Sequence, residues 1–290
     1  MKTIKEGFLR KNLGLGKEEL IRKWLDGHNL YEDPNATYEI LPSGGLKIRG
    51  TRTIYVFNAS GFTGNVVDVP DYIKIDEIGD PANLIYSGVQ CNDWSRILPK
   101  GEVHSRHILR FARCDIKDND IELLEGKFPH VCFLGCTELK NVKFGKGYNI
   151  LKLELSECED LKKITLDNDN IIYLDLWGND SLESLEGAAK KCQELNLSGT
   201  ELGDKIVGDL INLKPKRWTD SVRFKFRDQL EASPEFQDLL KKFPNLKYLY
   251  LPAEKSAHRK FDKLFKVIIS YGDVVVAGRG NYWEMNMFNS

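Results

Sequence analysis

Three sets of side chains in this sequence are of types that can do chemistry. His104 and His107 flank Ser105, the residue types of a nucleophile and its base. No G-x-S-x-G elbow accompanies them, and neither H-E-x-x-H nor H-x-E…C-x-x-C occurs. The pair leads into HILRFARC, so two polar residues on a connecting loop are expected. Gly14, Gly16 and Lys17 in LGLGKEEL look toward a phosphate loop. A Walker loop needs four residues between its glycines and Ser or Thr after its lysine. Here Glu18 follows, which suits a helix N-terminus, as does Glu19. AGRGNY near residue 280 carries still less of the pattern. The third set is the cysteines. Cys132 and Cys136 stand four apart with His130 nearby, but zinc takes four ligands in tight pairs and no C-x-x-C exists. No catalytic set, cofactor loop or metal set emerges, and a non-enzymatic chain without cofactor or metal is expected.

The cysteines instead form a ruler. Cys91, Cys114, Cys136 and Cys158 are spaced by 23, 22 and 22 residues, and Asn179 and Thr200 continue the series at 21. A period in the low twenties is that of a leucine-rich solenoid. Apolar pairs precede the marks: Leu109/Phe111, Val131/Phe133, Leu153/Leu155, Leu174/Leu176 and Leu195/Leu197. A second set follows: Trp94/Ile97, Leu139/Val142, Leu161/Ile164 and Leu182/Leu185. L-x-L is a strand with one face buried. The marked residue sits where the chain turns, and stacked units bury what one unit cannot. Parallel strands are predicted near 108–112, 130–134, 152–156, 173–177, 194–198 and 248–251. The row is expected to be reduced, buried and free of metal. Cys132 and Cys192 lie off it, Cys192 at the buried first position of its unit.

Around this ruler the fold class is a β-rich repeat solenoid, leucine-rich-repeat-like, with a parallel strand ladder. Residues 1–35 form an N-terminal helical cap: GKEELIRKWLDGH puts Leu20, Ile21, Trp24 and Leu25 on one face. Residues 36–200 form the solenoid, opening with a hairpin at Ser43-Gly44-Gly45. Residues 201–245 are an insertion with a helix, capped by Ser233 before Pro234. Residues 246–290 hold the last repeat, where FPNLKYLYLPAE repeats the pattern at Leu246, Leu249 and Leu251, and a C-terminal cap of one or two strands.

The 290 residues carry 42 Lys+Arg against 43 Asp+Glu, for a formal net charge of -1. That balance argues against a chain built to coat nucleic acid. It conceals two blocks. Residues 154–186 hold ten acids and two lysines; residues 214–227 hold six bases and one acid, interleaved with Trp218, Phe224 and Phe226. The basic stretch could stack on single-stranded nucleic acid, or lie as a solvated strand face. No run of 18 apolar residues predicts a membrane span, and no apolar signal core opens the chain. A reducing cytoplasm is the expected compartment.

Outward residues of successive strands should stack in columns. One holds His130, Lys152, Tyr173, Glu194 and Tyr248. The next holds Arg110, Cys132, Glu154, Asp175, Asn196 and Tyr250. The third holds Leu134, Ser156, Trp177 and Ser198. Aromatics among charges have the composition of binding hot spots. The expected partner-binding set is Arg110, Lys152, Glu154, Tyr173, Asp175, Trp177, Glu194, Asn196, Tyr248 and Tyr250.

The run SLESLEGAAKKCQELNLSGTEL resembles the irregular leucine-rich repeats of tailed-phage and gut-bacterial proteins. The blocks CTELKNV and CEDLKKI resemble BspA-like repeats, and a WL-containing helix before YEILPSGGLKIRG resembles the leader of phage-encoded members. The resemblance spans roughly residues 17–200, and leaves out the insertion and tail. It implies a binding scaffold, in the host cytoplasm if phage-encoded, and supplies no catalytic residues. The expected function is a protein–protein interaction module working through the strand face. The alternatives are a nucleic-acid-binding accessory protein using 214–227 and a particle-associated structural protein.

Overall fold

The structure is a computed structural model. It describes residues 16–28, 36–50, 53–57, 66–79, 83–100, 108–208, 227–252, 268–271 and 274–279. Two compact units, 1–101 and 102–290, divide the chain.

In the first unit, helix α1 (Lys17–Gly27) buries Ile21, Trp24 and Leu25 of the face its periodicity predicts, and Leu20 is half-buried. Gly16 is its N-cap, and Glu18 and Glu19 occupy its first turn. The Trp24 indole N–H donates to the Asp68 carbonyl at 3.3 Å, and its ring meets Phe57 edge-on. Strands β1 (Thr37–Ile40) and β2 (Leu46–Arg49) form the expected antiparallel hairpin. Gly44 supplies the positive φ of 69° that its turn requires. Gly45 leaves room for the Asp76 carboxylate, which accepts from Ser43 Oγ at 2.5 Å. Further strands are β3 (Thr53–Val56), β4 (Val67–Val69), β5 (Ile75–Ile78), β6 (Asn83–Ser87) and β7 (Val89–Cys91). They pair in parallel as β2–β5, β3–β6 and β4–β7.

The second unit is a β-solenoid with two parallel ladders. The first contains β8 (Ile108–Ala112), β9 (His130–Leu134), β11 (Lys152–Ser156), β13 (Tyr173–Asp175), β15 (Glu194–Asn196) and β16 (Tyr248–Pro252). The second contains β10 (Asn141–Phe144), β12 (Lys163–Asp167) and β14 (Ser184–Ala188). Its inward residues Val142, Ile164 and Leu185 are the second apolar set of each repeat. Both sets are buried, so each coil closes a dry core between its two strands.

Leu195 pairs in register with Leu249, 54 residues on. The insertion therefore leaves the first ladder unbroken. It contains α2 (Glu201–Val207) and α3 (Pro234–Lys242), the latter capped by Ser233 Oγ accepting from the Phe236 N–H. The tail supplies β17 (Ile268–Tyr271) and β18 (Val274–Arg279). β18 extends the ladder in parallel beside β16, and β17 turns back against it.

The ruler residues do one job with different atoms. Cys136 and Cys158 are buried, and each thiol points at carbonyls of its own coil and an adjacent one. Asn179 Nδ2 donates to Leu155 and Leu176 carbonyls. Thr200 Oγ1 donates to the Leu197 carbonyl and accepts the Gly203 N–H, so the ruler position becomes a helix N-cap. All six cysteines are buried, and none is in a disulfide.

Two strands end earlier than their pattern predicts. β13 stops at 175 and β15 at 196, because Asp175 Oδ1 accepts the Trp177 N–H and Asn196 Oδ1 accepts the Ser198 N–H. These side chains take N–H groups that strand pairing would use, as in a turn, while Leu176 and Leu197 still donate to the next coil. Trp177 and Ser198 therefore lie just past the strand ends, yet backbone bonds from Glu157 to Trp177 and from Gly178 to Ser198 keep them stacked with Leu134 and Ser156 in the third column.

Candidate functional site: the face of the first ladder

The registers bring the predicted columns together. His130, Lys152, Tyr173, Glu194 and Tyr248 stack in one; Arg110, Cys132, Glu154, Asp175, Asn196 and Tyr250 stack in the next.

The second column departs from expectation. Glu154 is 6% exposed, Asp175 0% and Asn196 1%. These three were expected as solvent-facing contact residues and are buried instead. A side chain in a middle column has neighbours above and below at the inter-strand spacing, and flanking columns on both sides. Short polar groups there are buried by their own repeat. They form a bonded ladder: Asn196 Nδ2 donates to Asp175 Oδ1 at 2.9 Å, and the Tyr173 hydroxyl donates to Asp175 Oδ2 at 3.1 Å.

Glu154 is the electrostatic centre of the face. Lys152 Nζ lies 3.0 Å and His130 Nε2 3.3 Å from its Oε1. The His130 contact has ion-pair length but is not aligned as a hydrogen bond. Burial pushes the Glu154 carboxyl up, but His130 and Lys152 outweigh it and hold the pKa at about 2. Lys152 Nζ also sits 4.6 Å from the centre of the Tyr173 ring. Cys132, opposite Glu154 in register, is buried, and its thiol is pushed far up by burial first and by the Glu154 charge next. A thiol held protonated is a weak nucleophile.

The accessible part of the face is the first column and its border. Arg110 is exposed; Lys152, Tyr173, Trp177, Glu194 and Tyr250 are half-buried. Tyr248 is 46% exposed. Beside this column lie Leu151, 44% exposed, and Ile172, 42% exposed. Ile172 N–H donates to the Leu151 carbonyl at 2.8 Å, which stacks the two on adjacent coils. Sequence reading missed this pair, because in NILKL and NIIYL they look like core. It also left His130 out of the contact set, although the ruler places it 22 residues before Lys152.

His104, Ser105, His107, Gly14, the run AGRGNY from Gly280 onward and the basic stretch except Arg227 lie outside the described residues. Among the described residues, no group of three or more His, Cys, Asp or Glu is placed to hold a metal ion. No helix among them is long and apolar enough to cross a membrane. No protein-family model, curated protein or solved structure matches this chain.

Proposed function

We propose that the chain is a non-enzymatic protein–protein interaction module whose contact surface is the first column of the first ladder. The observation that carries this reading is the pairing of exposed Leu151, Ile172 and Tyr248 with the charged groups Lys152, Glu194 and Arg110. Apolar anchors rimmed by charge are what a desolvated interface centre needs. A hydrogen-bonded ladder holds them with little further entropy to lose on binding. The buried Glu154–Asp175–Asn196 column serves as the rigid floor of that surface. The resemblance of CTELKNV and CEDLKKI to BspA-like repeats agrees with a scaffold that works by binding, in a host cytoplasm if phage-encoded.

The test places a photo-crosslinking amino acid at position 172 of the full chain in cells. A discrete adduct, weakened tenfold or more by Leu151→Glu or Tyr248→Ala, is expected. Adducts indifferent to both substitutions would move the interface elsewhere. A chain whose main crosslinked product is nucleic acid would replace this reading with the accessory-protein alternative.

A further inference from the structure

Among the described residues the second ladder is one rung short. On the first ladder β16 stacks on β15, but on the second the chain leaves β15 for α2 and no described strand follows β14. Ser184 directs its N–H to the Lys162 carbonyl on the β12 side. In a parallel strand the next residue turns its backbone groups the other way. Leu185 does so, and its carbonyl is taken by Lys242 Nζ of α3 at 2.7 Å. A lysine thus occupies the place where a neighbouring strand would donate an N–H.

Between this edge and α3 lies a cavity of about 190 Å³. Its floor is apolar, formed by Leu185, Leu239 and Phe243. Its rim carries Glu183, Glu186, Glu235 and Asp238. Lys242 is held by Asp238 at 2.6 Å, and Glu186 by Lys163 at 2.8 Å. Glu235 accepts from Ser233 Oγ at 3.1 Å, and Lys205, held by Glu201 at 2.9 Å, also feels the charges of Glu183 and Glu235. Glu183, Glu186, Glu201, Glu235 and Asp238 still outnumber Lys163, Lys205 and Lys242, so the mouth keeps a net negative charge. The volume falls below the roughly 300–1,000 Å³ of small-molecule sites. It suits one long side chain with a methylene stem and a cationic end.

We propose that this groove docks an extended, basic segment of a partner protein. The segment adds in parallel to the outer edge of β14 as the missing rung, and seats one Lys or Arg stem on the Leu185–Leu239–Phe243 floor. Main-chain pairing supplies the affinity and the acidic mouth selects the side chain. The site is separate from the ladder face proposed above and stands without it.

The test uses the full chain and fluorescein-labelled eight-residue peptides read by anisotropy. One alternates lysine with valine, a second alternates glutamate with valine, and a third is the lysine peptide N-methylated at alternate residues. The lysine peptide is expected to bind at least tenfold tighter than the other two. Glu183→Gln/Glu235→Gln should weaken it tenfold or more. Lys242→Met should strengthen it severalfold, by freeing the Leu185 carbonyl and removing a like charge. Tyr248→Ala should leave it unchanged. Three results would each overturn the proposal: no binding below millimolar, equal binding of the lysine and glutamate peptides, or binding that survives N-methylation. The last would mean charge attraction without strand addition.

Discussion

Asn179 Oδ1 accepts the backbone N–H of Cys158 at 2.9 Å, tying one coil to the next at the turn. Its Nδ2 donates to Leu155 at 2.6 Å and Leu176 at 2.8 Å. One amide thus satisfies three backbone groups in a region closed to water. Cysteine at the same place in neighbouring coils offers one weak donor. Asn179→Ala leaves all three groups unpaired and should cost at least about 3 kcal/mol, at ~1–3 kcal/mol for each buried group orphaned. Asn179→Cys should cost clearly less. Urea unfolding of both variants checks the order, and equal losses would show that the amide's bonds contribute little.

Thr200 ends the series by capping α2. Thr200→Val keeps the shape and removes both the donor to Leu197 and the acceptor for Gly203. A loss of about 1–2 kcal/mol is expected. Hydrogen exchange should show it as faster amides at 201–207 while the β13 and β15 amides stay protected. Uniform loosening of the ladder would mean that the cap holds the solenoid and not only its helix.

The ruler was legible because every coil needs a small polar or thiol group at the same bend, and that demand recurs in sequence. Register followed from it, down to Leu195 beside Leu249 across the insertion. Exposure was not legible. Glu154 and Asp175 alternate with leucines as surface residues do, yet their burial depends on neighbours one coil away. The strand ends were hidden for a related reason: the Asp175 and Asn196 side chains bond their own backbone two residues on. Leu151 and Ile172 sit in apolar runs, and only the chain's path into each strand decides which member of the run faces out.

Glu154 gives the face a pH dependence. Its ordinary value is 4.5, and the fold holds it at about 2. A carboxyl depressed in the folded state adds stability that is fully present above pH 4.5 and lost as pH falls through 2. The linkage is on the order of 3 kcal/mol. Glu154→Gln should therefore be less stable than the parent at pH 6, with the gap narrowing between pH 4.5 and 2. A gap that is constant over this window would show that Lys152 and His130 do not stabilise the anion.

The thiols test the burial of the core without any substitution. Burial raises Cys192 to about 12, the nearby Glu194 charge opposing ionisation as well. Cys132 is raised further, and all six cysteines are buried and outside any disulfide. The native protein should react with almost no equivalents of a thiol reagent at pH 8, and the denatured protein with six. Prompt reaction of one or more thiols in the native state would place part of the core at the surface.

Asp175 and Tyr248 separate floor from surface on the same face. Asp175 is fully buried and accepts from Asn196 Nδ2, the Tyr173 hydroxyl and the Trp177 N–H. Asp175→Ala strands those donors and should cost about 3–5 kcal/mol. Tyr248 stacks on Glu194 in the first column but stands 46% exposed. Tyr248→Ala should change stability by only about 0.5 kcal/mol, as surface substitutions do. Urea midpoints of the two variants decide the matter. If Tyr248→Ala is as costly as Asp175→Ala, the tyrosine belongs to the packed interior and the binding surface must be sought away from the ladder. If the midpoints separate as expected, Tyr248 can be changed to test partner binding without disturbing the fold that presents it.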